Sequence, residues 1–140
     1  RKKIKGNLLK YYIPAQISGC LLGVMFANVF FEHSLLELST KNRDGLHIFV
    51  SEIVATFGLI FIIFATLKDG KTIVAISVAT YISAGYWFTS STSFANPAVS
   101  LARTFTDSFT GINYLNTPTY ILAEFIGLIL AAYILRIIYK

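Results

Sequence analysis

Four long apolar stretches, Tyr11–Phe31, Ile48–Leu67, Thr72–Phe88 and Tyr120–Ile138, limit what this chain can become. The hydrocarbon layer of a bilayer is about 30 Å thick, and roughly 20 apolar helical residues cross it. All four stretches approach that length, with the third the shortest. Only 14% of the residues are charged, where a soluble domain carries about 25%. The expected class is an all-α membrane protein with four transmembrane helices.

Charge placement sets the expected orientation. Arg1, Lys2, Lys3, Lys5 and Lys10 precede the first stretch, Lys68 and Lys71 separate the second from the third, and Arg136 and Lys140 close the fourth. Between the first and second stretches stand only Lys41 and Arg43, accompanied by Glu32, Glu37 and Asp44. A cytoplasmic start followed by four crossings puts the larger basic group inside, which is the positive-inside bias. Both ends of the chain are therefore expected at the cytoplasmic face. The net charge of +5 reads as membrane orientation, and no nucleic-acid partner is expected. Cys20 lies within an apolar stretch and reads as a small buried hydrophobe. The first stretch is too long for a cleavable signal peptide and lacks a small-residue cleavage site. The chain opens on Arg1, and it reads as a segment of a longer protein.

The first and fourth stretches align without gaps. Tyr12, Ile13, Ala15, Gly19 and Leu22 match Tyr120, Ile121, Ala123, Gly127 and Leu130, and Gln16 stands where Glu124 stands. The expected topology runs the two in opposite directions, as in the inverted repeats of transport proteins. The domain reading is one incomplete unit over 1–140: residues 11–31 end one repeat, and 48–138 form the next. Gly19 and Gly23 form a GxxxG pair, with Ala15 one turn earlier, suited to close helix packing in lipid.

Residues 89–109 are too polar and too broken to span. The run Thr89–Ser93 is a polar loop; Asn96 is a good N-cap and Pro97 fits the first helical position. A helix over 97–107 would be about 15 Å long, half a bilayer. It is either a surface helix in an outer loop or half of a re-entrant hairpin reaching the midplane. Irregular backbone at that depth is tolerated only where protein buries it or a water-filled path adjoins it. A re-entrant helix would direct its positive N-terminal end at the membrane centre and disfavour cations there.

Asn96-Pro97-Ala98 resembles the signature triplet of the aquaporin, or major intrinsic protein, superfamily. The flanking stretch Ser93–Ile112 resembles the second such motif of prokaryotic members, and Ser51–Gly58 resembles the start of the second repeat. The resemblance implies an aquaporin-like fold and passive passage of water or small uncharged solutes. It also implies a homotetramer in the full-length form, and two helices and a matching pore segment upstream of Arg1. Asn96 would present its amide to the pore, with simple N-capping as the alternative. Pro97 and Ala98 would shape contact with a partner half-helix, and Thr92, Ser93 and Phe94 would expose loop carbonyls to the solute.

At the family's outer selectivity filter the implied positions are Ala84, Ser93, Val99 and Arg103. Val99 stands where many members carry arginine, and Arg103 follows one turn later. Arg103 either reaches back as a displaced filter, or pairs with Asp107, or snorkels to the surface. Val99 and Ala84 suggest a wider or less polar constriction, leaving glycerol and neutral metalloid acids open as solutes. Glu52 is expected to accept hydrogen bonds from buried loop backbone, and Glu124 to be interfacial. His33 and His47 read as loop histidines, Tyr86 and Trp87 as an interfacial aromatic belt, and no metal site or cofactor is expected. No nucleophile–base pair or phosphate loop points to an enzyme. The rival of another class is a non-conducting structural membrane protein.

Overall fold

The structure, a computed structural model, describes residues 6–139; Arg1, Lys2, Lys3, Lys5 and Lys140 of the charge pattern lie outside the described residues. A short 3-10 turn at Gly6–Leu8 leads into α1 (Leu9–Phe30), followed by α2 (Leu46–Thr66) and α3 (Lys71–Phe88). The short α4 (Pro97–Ala102) continues as a 3-10 turn over Arg103–Phe105, and α5 (Thr117–Ile138) ends the chain. Among the described residues all regular structure is helical, as the apolar stretches predict.

Three helical stretches are long and apolar enough to cross a membrane: Gly6–Phe30, Leu46–Thr66 and Thr117–Ile138. The fourth expected span, α3, is not among them. It has 18 residues and dilutes its apolar side chains with Thr72, Ser77, Thr80 and Ser83. Burial runs opposite to that of a soluble domain. Asn28, Glu52, Glu124, Ser91, Ser100 and Thr106 are fully buried, while Phe26, Phe30, Val54, Trp87, Ile129 and Tyr133 lie exposed. Polar groups meet inside and apolar groups face outward, the arrangement that lipid favours.

The connections 31–45 and 106–116 share one end of the bundle. Asn28, near the C-terminus of α1, donates to the carbonyl of Phe105, and the carbonyl of Asn113 accepts from Thr117 at the start of α5. Thus α1 runs toward this loop face and α5 runs away from it, as an inverted repeat requires. Ser90, just beyond α3, hydrogen-bonds to Ser51 and His47 at the start of α2. Consequently α2 descends from the loop face and α3 returns to it.

The most extensive helix–helix contact is α2 with α5, and a glycine permits it. A Cβ on Gly127 would lie 2.6 Å from the carbonyl oxygen of Ile53 and 2.9 Å from Cβ of Thr56. Ala123 and Ala131, one turn to either side, are fully buried. Without an apolar driving force between helices, close van der Waals approach of this kind holds membrane helices together. The GxxxG pair of α1 behaves differently: a Cβ on Gly19 or Gly23 would meet nothing within 4 Å. Among the described residues the close-packed glycine is Gly127, the repeat mate of Gly19.

The half-helix ends at Phe105, short of the expected residue 107, because other groups take its last carbonyls. Ile112 N–H donates to Arg103, Ser39 N–H to Thr104, and Glu37 N–H to Phe105. Asn28 Nδ2 also donates to Phe105 at 3.2 Å, while its Oδ1 accepts from Thr106 Oγ1 at 2.5 Å. Thr106 turns to extended backbone, with φ −147°.

Gly127→Val tests this packing in the full-length protein. Forcing methyl groups into the α2–α5 contact is expected to cost about 1–3 kcal/mol and to lower the detergent unfolding midpoint. An unchanged midpoint would refute the close contact.

Candidate functional site

From Thr89 the chain turns back from the loop face into the bundle. Thr89 Oγ1 donates to the carbonyl of Gly85 at 2.6 Å, and Ser51 Oγ accepts from Ser90 N–H at 2.9 Å. Thr92, Ser93 and Ala95 then adopt left-handed backbone, with φ of 63°, 51° and 49°. Each such residue costs on the order of 1–3 kcal/mol and persists only where its surroundings dictate it. Those surroundings are visible. Glu52 Oε1 accepts from Ala95 N–H at 2.5 Å, and Tyr120 Oη donates to the carbonyl of Ser91 at 3.2 Å. Gly85 lies so close to Ser93 that a Cβ there would be 2.6 Å from Ser93 Oγ. The carbonyls of Thr92, Ser93 and Phe94 accept no hydrogen bond among the described residues.

At the bottom of this descent lies Asn96. Its N–H donates to Glu124 Oε1 at 3.1 Å, and its carbonyl accepts from Ser100 N–H at 3.0 Å. Its side-chain Oδ1 caps the half-helix by accepting from Ala98 N–H at 2.9 Å. With Oδ1 used in the cap, the amide's donors are left over: Nδ2 has no partner among the described residues. Asn96, Pro97 and Ala98 border a cavity of about 360 Å³ that Gln16 and Ile17 of α1 share. On the other side, Asn96 and Pro97 border a cavity of about 220 Å³ with Thr56 and Glu124. Glu52 and Glu124 both sit about two turns inside their helices, so Asn96 lies well below the loop face.

Glu124 departs from its interfacial expectation. It is 1% exposed, and its Oε1 also accepts from Ser100 Oγ at 2.6 Å. One carboxylate oxygen therefore binds both the start and the second turn of the half-helix. Glu52 does what the sequence suggested, accepting a loop N–H. Their second oxygens, Glu52 Oε2 and Glu124 Oε2, are buried without a partner among the described residues.

The filter candidates are only partly brought together. Val99 packs against the cluster of Phe94, Ile112 and Tyr120. Val99 and Arg103 share a cavity of about 280 Å³ with Cys20, Gly23 and Val24 of α1. Ala84 is exposed on α3 and does not line that cavity; its neighbour Gly85 is the residue that meets Ser93. Arg103 does not pair with Asp107. Its Nη1 donates to Thr110 Oγ1 at 2.6 Å, whereas Asp107 accepts from Thr40 N–H, Thr40 Oγ1 and Ser39 Oγ. The Thr40 N–H above all holds the Asp107 carboxyl below the ordinary aspartate range. His33 Nδ1 lies 2.8 Å from Glu37 Oε1, a pairing the sequence reading missed. Among the described residues no group of three His, Cys, Asp or Glu could hold a metal ion.

Arg43 also escaped the sequence reading. Its Nε donates to the carbonyl of Gly111 at 2.8 Å, and Nη2 to the carbonyl of Phe109 at 2.6 Å. Nη1 lies 3.4 Å from Thr92 Oγ1, and the guanidinium carbon stands 5.9 Å from the centre of the Phe94 ring. The available signal was its location: a basic residue in the loop where the charge pattern leaves few.

No protein-family profile matches the chain, and no solved structure matches it. The aquaglyceroporin AqpS of Rhizobium meliloti (strain 1021) is 42% identical to it over 125 residues. That alignment covers 89% of this chain and 54% of AqpS, so the chain spans about half the length of that relative. This multi-pass membrane chain belongs to the aquaporin, or major intrinsic protein, superfamily.

Proposed function

We propose that the full-length protein is a passive pore for water and small uncharged solutes, and that this chain supplies one of its two walls. The observation that carries this reading is the turn at Asn96. A polar loop descends between membrane-length helices, leaves three successive carbonyls without a hydrogen bond among the described residues, and ends on an amide whose donors have no partner there. Free acceptors followed by free donors form a file of sites on which a water molecule or hydroxyl group can replace its lost hydration. At the start of a short helix, the N-terminal dipole adds positive potential and disfavours cations and protons.

In this reading Asn96 orients the permeating molecule, Pro97 and Ala98 shape the contact with a second half-helix, and Thr92, Ser93 and Phe94 offer their carbonyls. Glu52 and Glu124 hold the loop rather than relay protons. Movement follows the solute gradient, no catalytic step is involved, and the basic ends lie in the cytoplasm. The assembly expected is a homotetramer with a pore in each subunit.

A second reading within the same class, a facilitator of glycerol-sized or neutral metalloid solutes, is favoured by Val99. An apolar side chain at that position leaves more room than arginine would. The aquaglyceroporin relative supports the same direction. Swelling assays with polyols separate the two readings, and Val99→Arg is expected to suppress polyol uptake more than water flow.

Asn96→Asp in full-length protein reconstituted into liposomes is expected to reduce water permeability and to weaken proton exclusion. Stopped-flow light scattering and a pH dye report the two effects; if neither moves, the role given to Asn96 is wrong.

For the bracing acids, Glu124→Ala removes the acceptor shared by Asn96 and Ser100. Leaving these buried donors unpaired is expected to cost about 1–3 kcal/mol, lowering both the unfolding midpoint and water flow. Glu124→Gln keeps an acceptor oxygen and is expected to be milder. Equal behaviour of the two variants would count against the bracing role.

A further inference from the structure

Position 99 carries valine, yet the outer end of the proposed pore does not lack a fixed cation. Arg43 enters from the connection between α1 and α2 and reaches two other segments at once. The carbonyls of Phe109 and Gly111 accept from Nη2 and Nε at 2.6 and 2.8 Å. Together they pin the guanidinium plane from one side. The opposite edge faces the descending loop, with Nη1 3.4 Å from Thr92 Oγ1 and the ring of Phe94 5.9 Å away. The base of the side chain is pinned too, since Arg43 N–H donates to Asn116 Oδ1 at 3.0 Å. Guanidinium has five N–H donors, so donors remain beyond the three bonds made. Arg43 as a whole is only partly buried.

Arg103 does not occupy the same place. It points to Thr110 and to the cavity on the α1 side of the half-helix, while Arg43 stands over Thr92 and Phe94. A neutral loop staple would serve as well with any long donor. The arginine adds a positive charge beside Thr92 and Phe94, two of the residues whose carbonyls accept no hydrogen bond among the described residues.

We propose that Arg43 is the selectivity-determining cation of the outer constriction, placed from the α1–α2 connection in place of an arginine at position 99. It rests on the pore reading above. The remaining donors of Arg43 bind the oxygen of a small uncharged hydroxylated solute, while Val99 and Phe94 supply apolar surface nearby. Its charge repels cations before they reach the unpaired carbonyls of Thr92–Phe94.

The test compares wild type, Arg43→Gln, Arg43→Lys and Arg103→Gln in the full-length protein reconstituted into liposomes. Water flow, glycerol uptake, erythritol uptake and sodium leak are measured for each. Arg43→Gln is expected to change the glycerol-to-erythritol ratio by about 3- to 10-fold, the worth of one hydrogen bond, and to admit a sodium leak. Arg43→Lys keeps the charge and is expected to keep sodium out. Arg103→Gln separates the two arginines: if it, and not Arg43→Gln, changes the polyol ratio and admits sodium, the proposal is overturned. If Arg43→Gln scales all fluxes equally and admits no sodium, Arg43 is a loop staple and the proposal is overturned. If Arg43→Gln does not fold, the lysine variant decides: a sodium leak there, in folded protein, also overturns it. Wild-type liposomes that pass neither water nor polyol would instead sink the pore reading itself.

Discussion

Two buried carboxylates hold this structure in the shape that matters. Glu52 of α2 and Glu124 of α5 accept the backbone N–H groups of Ala95 and Asn96, successive residues at the lowest point of the descending loop. The loop above them carries left-handed backbone at Thr92, Ser93 and Ala95, which no short polar sequence adopts unaided. A buried hydrogen bond contributes about 0.5–1.5 kcal/mol net, so the two together are comparable with the strain of one such residue. The helices must therefore bring both acids to one level before the loop can turn. Gly127 makes that possible by letting α5 approach Ile53 and Thr56 of α2, between the two acids and the far ends of their helices.

The half-helix is held at its other end by a different device. The carbonyls of Arg103, Thr104 and Phe105 are taken by N–H groups from the loops and by Asn28 of α1. A six-residue helix has almost no stability of its own. Fixed at both ends, it becomes a rigid part whose N-terminus can present donors inside the bundle. The same logic explains the inverted burial. Polar side chains lie inside because they hold irregular backbone, and apolar side chains lie outside because lipid asks for nothing else.

Much of this was legible in the sequence because lipid imposes simple rules. The length of the apolar stretches announced α1, α2 and α5, and Asn96 followed by Pro97 announced the start of the short helix with its cap. Glu52 was legible as a brace because a carboxylate inside a span must have a partner. Glu124 was misjudged, since its nearness to a helix end suggested an interface, and only the descent of the loop buries it. The extent of the half-helix was overdrawn because its stop signal, Asn28, lies 77 residues away in the chain. Arg43 was opaque for the same reason, as its partners Thr92, Phe109 and Gly111 are brought to it by tertiary folding. The small-residue pattern of α1 meets no neighbour among the described residues, whereas its repeat mate Gly127 packs on α2. The weaker apolarity of α3 reflects serines and threonines that its length alone did not reveal.

The central claim is that residues 89–105 enter the lipid-spanning part of the bundle and turn there. An electron-microscopy structure of the full-length protein in a lipid nanodisc measures this directly, because the nanodisc density marks the membrane boundaries. The account predicts Asn96 inside that density, level with Glu52 and Glu124, with its Nδ2 facing a continuous solvent path. Density placing the Asn96-Pro97-Ala98 turn outside the lipid layer, with α4 lying on the membrane surface, would contradict it.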